Sequence, residues 1–276
     1  MININTTMKP ALLFSTLAIG LGSLAAQEKK DVALDDPSIV RVAPTPTVIE
    51  KFTALKMRMK DAKLNWVQVY NSNKIDFDPD NLDDTSVQLP VALGIRITDG
   101  IIAIIARNAE SLNEAAEDIE QMSKKLGVSD KDLARAKQVR AFANRGSWNR
   151  VYMELGWLQK DVMATLDREG NSNRRALLLA SGWLQAAHIT SSIVAKNYNE
   201  DRSTLVREPI MLNHLIKELG KVTPAQKAHP TYKTLLKSIS DISKLVDTPV
   251  GEPISKDALV KVSAATALFR GAAAKP

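Results

Sequence analysis

The chain has 276 residues, of which 45% are apolar, 25% charged and 5% aromatic, and its formal net charge is +6. It contains no cysteine, which excludes disulfide-stapled scaffolds, thiol enzymes, iron–sulfur proteins and zinc sites with cysteine ligands. The length and the apolar fraction suit one large or two small globular domains.

The first segment has the character of an export signal. Lys9 precedes an uncharged, largely apolar run, and Ser23 and Ala25 give the small-x-small pattern of a cleavage site. We therefore predict that residues 1–25 are removed and that the mature protein is soluble and periplasmic or secreted. Cleavage after Ala26 and retention of the segment as a membrane anchor are the alternatives, although the run is short for a bilayer span of about 20 residues.

Charge is distributed unevenly along the chain. Residues 26–125 contain 13 Lys/Arg and 17 Asp/Glu, whereas residues 126–276 contain 23 and 14. The two halves attract each other within one fold, or the basic half faces an anionic envelope surface or polymer. The basic residues are scattered and not in runs, which favours the first interpretation. Basic and aromatic residues are not interleaved, so nucleic acid is not an expected partner.

Helical periodicity dominates the rest of the chain. Residues 26–46 are charged and then proline-rich, which predicts a flexible tether. Residues 47–270 predict a single helical domain, with a weaker boundary near residue 145, and residues 271–276 predict a frayed tail. We expect about seven or eight helices, near residues 47–70, 89–126, 132–143, 147–166, 174–198, 203–220 (bent), 230–246 and 255–270.

The fold class follows from this pattern. No sustained alternation of apolar and polar residues indicates a strand, so we predict an all-α antiparallel multi-helix bundle. The first half of the helix at 89–126 is apolar nearly all round, which predicts a central position. The helix at 47–70 carries apolar residues at heptad spacing, which suits either a partner helix of the same chain or a homodimer.

The sequence lacks the common catalytic motifs. Its three histidines, His188, His214 and His229, form neither Glu-x-x-His pairs nor a His-Glu-x-x-His zinc helix. No Gly-x-Ser-x-Gly elbow, Ser-x-x-Lys pair or glycine-rich phosphate loop is present in the predicted mature chain. We therefore expect a protein without a cofactor that is not an enzyme; an unfamiliar enzyme with His188 as general base is a lesser alternative.

An acidic segment between the first two helices resembles the start of a calcium loop. Asp76, Asp78 and Asp80 alternate along the chain, and oxygens two residues apart can converge on one cation. Val87, however, lies where a bidentate glutamate is needed. The competing interpretation is a solvated acidic loop that caps the next helix.

Two helices carry polar residues on otherwise apolar surfaces. Arg96 and Asp99 are three residues apart on one helix face, and a buried charge has to be paired. On a later helix, Gln185 and His188 continue a polar stripe beside Trp183. These side chains bond to neighbouring helices, or they form a polar patch inside an apolar pocket. The candidate ligand-binding residues are Arg96, Asp99, Trp183, Gln185 and His188.

Together these observations predict an exported α-helical protein with a non-catalytic role, which binds a partner protein or an envelope component. The alternative is a small-molecule carrier or sensor with its polar site inside the helical bundle.

Overall fold

The structure, a computed structural model, describes residues 48–82, 84–131, 133–168 and 172–275. The predicted export signal and tether lie outside these residues. The described residues form helices and connections without a strand, which confirms the all-α prediction for them. The described residues contain eleven α-helices of at least five residues and one single turn, α8: α1 Val48–Arg58, α2 Trp66–Asn73, α3 Gln88–Ala106, α4 Ala109–Lys125, α5 Ala134–Asn144, α6 Trp148–Arg168, α7 Ser172–Lys196, α8 Glu200–Ser203, α9 Pro209–Leu219, α10 Pro224–Ala228, α11 Pro230–Leu245 and α12 Lys256–Ala273.

The centre of the fold is the pair α3 and α7. Helix α3 packs along α7 and against α4, and α7 packs against α12 on another side. Both α3 and α7 are long and apolar enough to cross a membrane, but 89% and 83% of their apolar stretches are buried inside the protein. Such burial is typical of helices in the core of a protein, and it agrees with the central position predicted for α3.

Two glycines bring α3 and α7 into backbone contact. A Cβ atom added at Gly94 would lie 2.2 Å from the Leu178 carbonyl oxygen, and one added at Gly182 would lie 2.9 Å from the Gly94 carbonyl oxygen. The Thr98 hydroxyl, also in α3, donates to the Gly182 carbonyl at 3.1 Å. The two helices therefore lie closer than any side chain at these glycines would allow.

The predicted helix at 89–126 is in fact two helices, α3 and α4. Arg107 adopts the left-handed conformation (φ 52°) and ends α3. Asn108 then begins α4, because its side-chain oxygen accepts a hydrogen bond from the Ser111 amide at 2.9 Å. The chain reverses here, so α4 packs back along α3.

The predicted helix at 47–70 is likewise divided, into α1 and α2. A short 3₁₀ turn follows α1, Lys63 is left-handed (φ 46°), and Asn65 caps α2 by accepting from the Gln68 amide at 3.1 Å. The apolar residues of α1, including Phe52 and Leu55, are buried in the core of the same chain. These two divisions, with the short α8 and α10, explain why the helices outnumber the predicted seven or eight.

Candidate functional site

An open groove lies between α2, α7 and α12. Its volume is about 910 Å³. Apolar side chains, among them Val69, Ile193 and Val260, form much of its surface, and neutral polar side chains lie between them. Of the described residues that line the groove, Lys196 and Lys256 are the charged ones. We call this feature the α2–α7–α12 groove.

The register of α7 against α12 gives the groove two different ends. The helices are antiparallel: Nδ1 of His188 lies 2.9 Å from the Thr266 hydroxyl, and the Ser192 hydroxyl lies 2.7 Å from that of Ser263. Continuing this register places Lys196, at the end of α7, beside the start of α12. Lys196 and Lys256 of α12 therefore share one end of the groove, the basic end.

His188 and Asn73 lie at the opposite end of the groove. The Thr266 hydroxyl donates to the Val262 carbonyl at 3.1 Å, so we assign it as the acceptor of a hydrogen bond from Nδ1 of His188. This tautomer leaves Nε2 of His188 as a hydrogen-bond acceptor. Burial and then the positive charge of Arg270 lower the pKa of His188 to about 4, which keeps the imidazole neutral near pH 7.

A buried polar network lies at the His188 end of the groove. Nε2 of Gln185 donates to Oδ1 of Asp99 at 2.7 Å and to the Asn73 carbonyl at 2.9 Å. The Asn73 carbonyl also accepts from Nη2 of Arg270 at 2.8 Å, and Nη1 of Arg270 donates to Oε1 of Gln185. The network joins α3, α7 and α12 to the end of α2, and it fixes the position of Asn73 in the groove.

Asp99 is the most deeply buried charged group of this network. Only 1% of its side chain is exposed, and Oδ2 has no hydrogen-bond partner among the described residues. Burial raises the pKa of Asp99 to about 7, although Gln185 and Arg96 act against the shift. Asp99 does not line the groove, and its contacts in the structure are internal, with Gln185 and Arg96.

Arg96 has partners on every side within the protein. Its Nε donates to Asp118 at 2.6 Å, Nη2 donates to Glu114 at 3.1 Å, and Nη1 donates to the Tyr70 hydroxyl at 3.3 Å. The distance from Nη1 to Oδ2 of Asp99 is 3.9 Å, an ion pair without a hydrogen bond. The described geometry therefore supports the structural alternative for Arg96 and gives it no access to the groove.

Trp183 belongs to a different part of the molecule. Its Nε1 donates to Oε2 of Glu208 at 2.7 Å, and Lys51 binds the same carboxylate. The Lys51 ammonium also lies 4.9 Å from the centre of the Trp183 ring. This buried cluster ties α1, α7 and the start of α9 together, and its residues do not line the groove.

The aspartates of the acidic segment bind separate partners. Asp76 pairs with Lys74 at 3.0 Å. Asp78 accepts from the Asp80 amide at 3.0 Å and from the Asn81 side chain at 2.6 Å. Over the described residues, no group of three or more His, Asp or Glu side chains is arranged to hold a metal ion. Calcium binding at this segment stays a prediction, and the described contacts give it no support.

The five predicted ligand residues thus fall into three places. Asp99 and Gln185 are joined in the buried network beside Arg96, Trp183 lies in a separate cluster, and His188 lines the groove. Arg270 was not predicted from the sequence, since a basic residue in the last turn of a helix is ordinary. Lys256 was not predicted either, although a lysine in the first turn of a helix opposes the helix dipole and was a signal in the sequence.

The shifted pKa of His188 predicts a pH response. Between pH about 6.5 and 4 the unfolded chain takes up a proton at His188 that the folded protein does not bind, so this residue lowers stability as the pH falls. We expect its imidazole NMR signals to titrate with a midpoint of about 4. Between pH 7 and pH 5, we also expect the free energy of unfolding of the His188→Gln variant to fall by less than that of the wild type. A midpoint near 6.5 would contradict the assignment.

Comparisons with known proteins give no assignment for the site, because no family model, curated protein or solved structure matches the chain.

Proposed function

We propose that the protein is an exported, non-catalytic binding protein that holds a small molecule in the α2–α7–α12 groove. The observation that carries the proposal is the groove itself: a concave space of about 910 Å³ in which apolar side chains alternate with neutral polar side chains and two lysines. Small-molecule sites in proteins have volumes of about 300–1,000 Å³ and combine apolar surface with polar groups that fix the orientation of the ligand.

The state of His188 supports binding over catalysis. A general base works best when its pKa is near the working pH, and burial has lowered the pKa of His188 to about 4. Its Nδ1 is also engaged by Thr266. Nε2 is suited to accept a hydrogen bond from a ligand and is a weak base for taking a proton.

The proposed site differs from the interior one expected from the sequence. The network around Asp99 and Gln185 forms internal hydrogen bonds, and the open space lies beside it, with His188 and Asn73 on the boundary. Export is proposed from the sequence of residues 1–25 alone. Binding of a partner protein or an envelope component, the first expectation, is an outcome of the experiment below.

The test is native mass spectrometry of the mature protein purified from the compartment to which it is exported. We expect a bound small molecule whose mass disappears on unfolding. A bare monomer, a homodimer or a bound protein would contradict the proposal and favour a partner-binding role.

A groove-filling variant locates the site. Ala264 lines the groove on an exposed face of α12, so Ala264→Trp is expected to remove the bound mass while the melting temperature stays within a few degrees of the wild type. The control is Ile210→Trp, because Ile210 on α9 is 85% exposed and does not line the groove. Equal ligand occupancy in the two variants would place the ligand elsewhere.

A further inference from the structure

The charges of the groove are all of one sign. Lys196 and Lys256 line it, and no Asp or Glu of the described residues does. Neither lysine forms an ion pair with any described residue, whereas the neighbouring Asp257 is paired with Lys261 at 2.7 Å. The basic end therefore presents two exposed ammonium groups that lack an internal counter-charge.

The start of α12 lies beside the end of α7, so the partial charges of the two helix termini offset each other. Ser255 caps the helix, and Lys256 is its first residue. The N-terminus of a helix carries a partial positive charge, so a lysine there is unfavourable for the helix itself. An anion at the basic end would therefore be attracted chiefly by the two lysines.

The remainder of the groove is neutral. On the wall that α7 forms, Lys196 and His188 are eight residues apart, which corresponds to about 12 Å along the helix axis. Ile193 on this wall, Val69 on α2 and Val260 on α12 give apolar surface, and the Ser192 and Ser263 hydroxyls between them bond to each other. At the far end, His188 is neutral near pH 7. This distribution matches a molecule with one charged terminus and an apolar body about as long as the groove.

We propose that the ligand is a small amphipathic carboxylate, with its carboxylate at Lys196 and Lys256 and its hydrocarbon body along α7 toward His188. The inference rests on the proposed function and adds the ligand class to it. The apolar surface supplies binding energy through burial of the hydrocarbon, and the lysines supply preference for the anion through charge-assisted hydrogen bonds.

The experiment compares decanoate with decanol, which have the same hydrocarbon length and differ in charge, by isothermal titration to the mature full-length protein. We expect decanoate to bind with 1:1 stoichiometry and more tightly than decanol. The double variant Lys196→Gln/Lys256→Gln is expected to weaken decanoate binding about tenfold and to leave decanol binding unchanged. Added salt is expected to weaken decanoate binding in the wild type.

A matched control removes the same charge elsewhere. Lys217 on α9 and Lys233 on α11 are exposed and do not line the groove, so Lys217→Gln/Lys233→Gln is expected to bind decanoate as the wild type does. Decanol binding as tight as decanoate binding, no measurable decanoate binding, or equal effects of the two double variants would overturn the proposed ligand class.

Two further measurements separate this proposal from the alternative explanations, a different ligand class, a different site and a membrane surface. Ala264→Trp is expected to abolish binding of both probes; if it does so while the groove lysines have no effect, the groove holds a ligand and only the ligand class is wrong. If decanoate binding survives Ala264→Trp, the groove itself is the wrong site. The second measurement is flotation with vesicles that contain phosphatidylglycerol. If the wild type floats with them, the groove-lysine variant does not, and decanoate does not bind, then the basic end serves a membrane surface and the inference is overturned.

Discussion

Gly94→Ala is expected to lower the free energy of unfolding by about 3 kcal/mol, because the new methyl group has no space between α3 and α7. Its Cβ would lie 2.2 Å from the Leu178 carbonyl oxygen and 2.3 Å from the Ser181 hydroxyl oxygen. One of these contacts is with backbone, so the helices have to move apart. Urea denaturation followed by far-UV circular dichroism measures the loss.

The control for this substitution is Gly156→Ala on α6. A Cβ at Gly156 meets no atom within 4 Å, and alanine is favoured over glycine in a helix by about 0.5–1 kcal/mol. Gly156→Ala is therefore expected to raise the unfolding free energy slightly. Two glycine variants of equal stability would show that α3 and α7 are not in backbone contact.

Arg96→Met is expected to lower the unfolding free energy by about 3–5 kcal/mol at pH 7, the typical effect of removing one partner from a buried ion pair. The guanidinium is 1% exposed and binds both Asp118 and Glu114. Without it, Asp118 and buried Asp99 lose their nearest positive charge, and Glu114 keeps only its pair with Lys74. The loss is expected to shrink as the pH falls, because protonation of the carboxylates removes the unpaired negative charge.

Arg140→Met on α5 is the matched control. Arg140 pairs with Glu120 at 2.6 Å, but 27% of its side chain is exposed, so its removal is expected to change stability by less than about 1 kcal/mol. Denaturation of both variants at pH 7 and pH 4.5 completes the test. An Arg96→Met protein of normal stability that has lost its ligand would restore the sequence-based assignment of Arg96 to the binding site.

The helices were predictable to the extent that local signals determine them. The cap at Ser255 and the apolar surface of α3 follow directly from residue spacing, and the structure has both. The breaks at Lys63 and Arg107 were not anticipated, because neither residue favours the left-handed conformation that it adopts. Asn65 and Asn108 were the available signals, since each caps the helix that follows.

The candidate site was less predictable, since its partners are distant in sequence. The i,i+3 spacing of Arg96 and Asp99 suggested a pair, yet the shortest contact of Arg96 is to Asp118, which faces it only because the chain reverses at Arg107. The contact of Gln185 with Arg270 depends on the packing of α7 on α12. Spacing within one helix carries no information about such contacts.

The three walls of the groove are held with unequal strength. Helices α7 and α12 are joined by hydroxyl and imidazole bonds, whereas α2 has Tyr70 as its one fully buried side chain and is held by hydrogen bonds at the Tyr70 hydroxyl and the Asn73 carbonyl. Its far end, near Asn65, is exposed. Local opening in proteins concentrates where buried contacts are few. Of the three walls, α2 is therefore the one at which local opening of the groove is expected first.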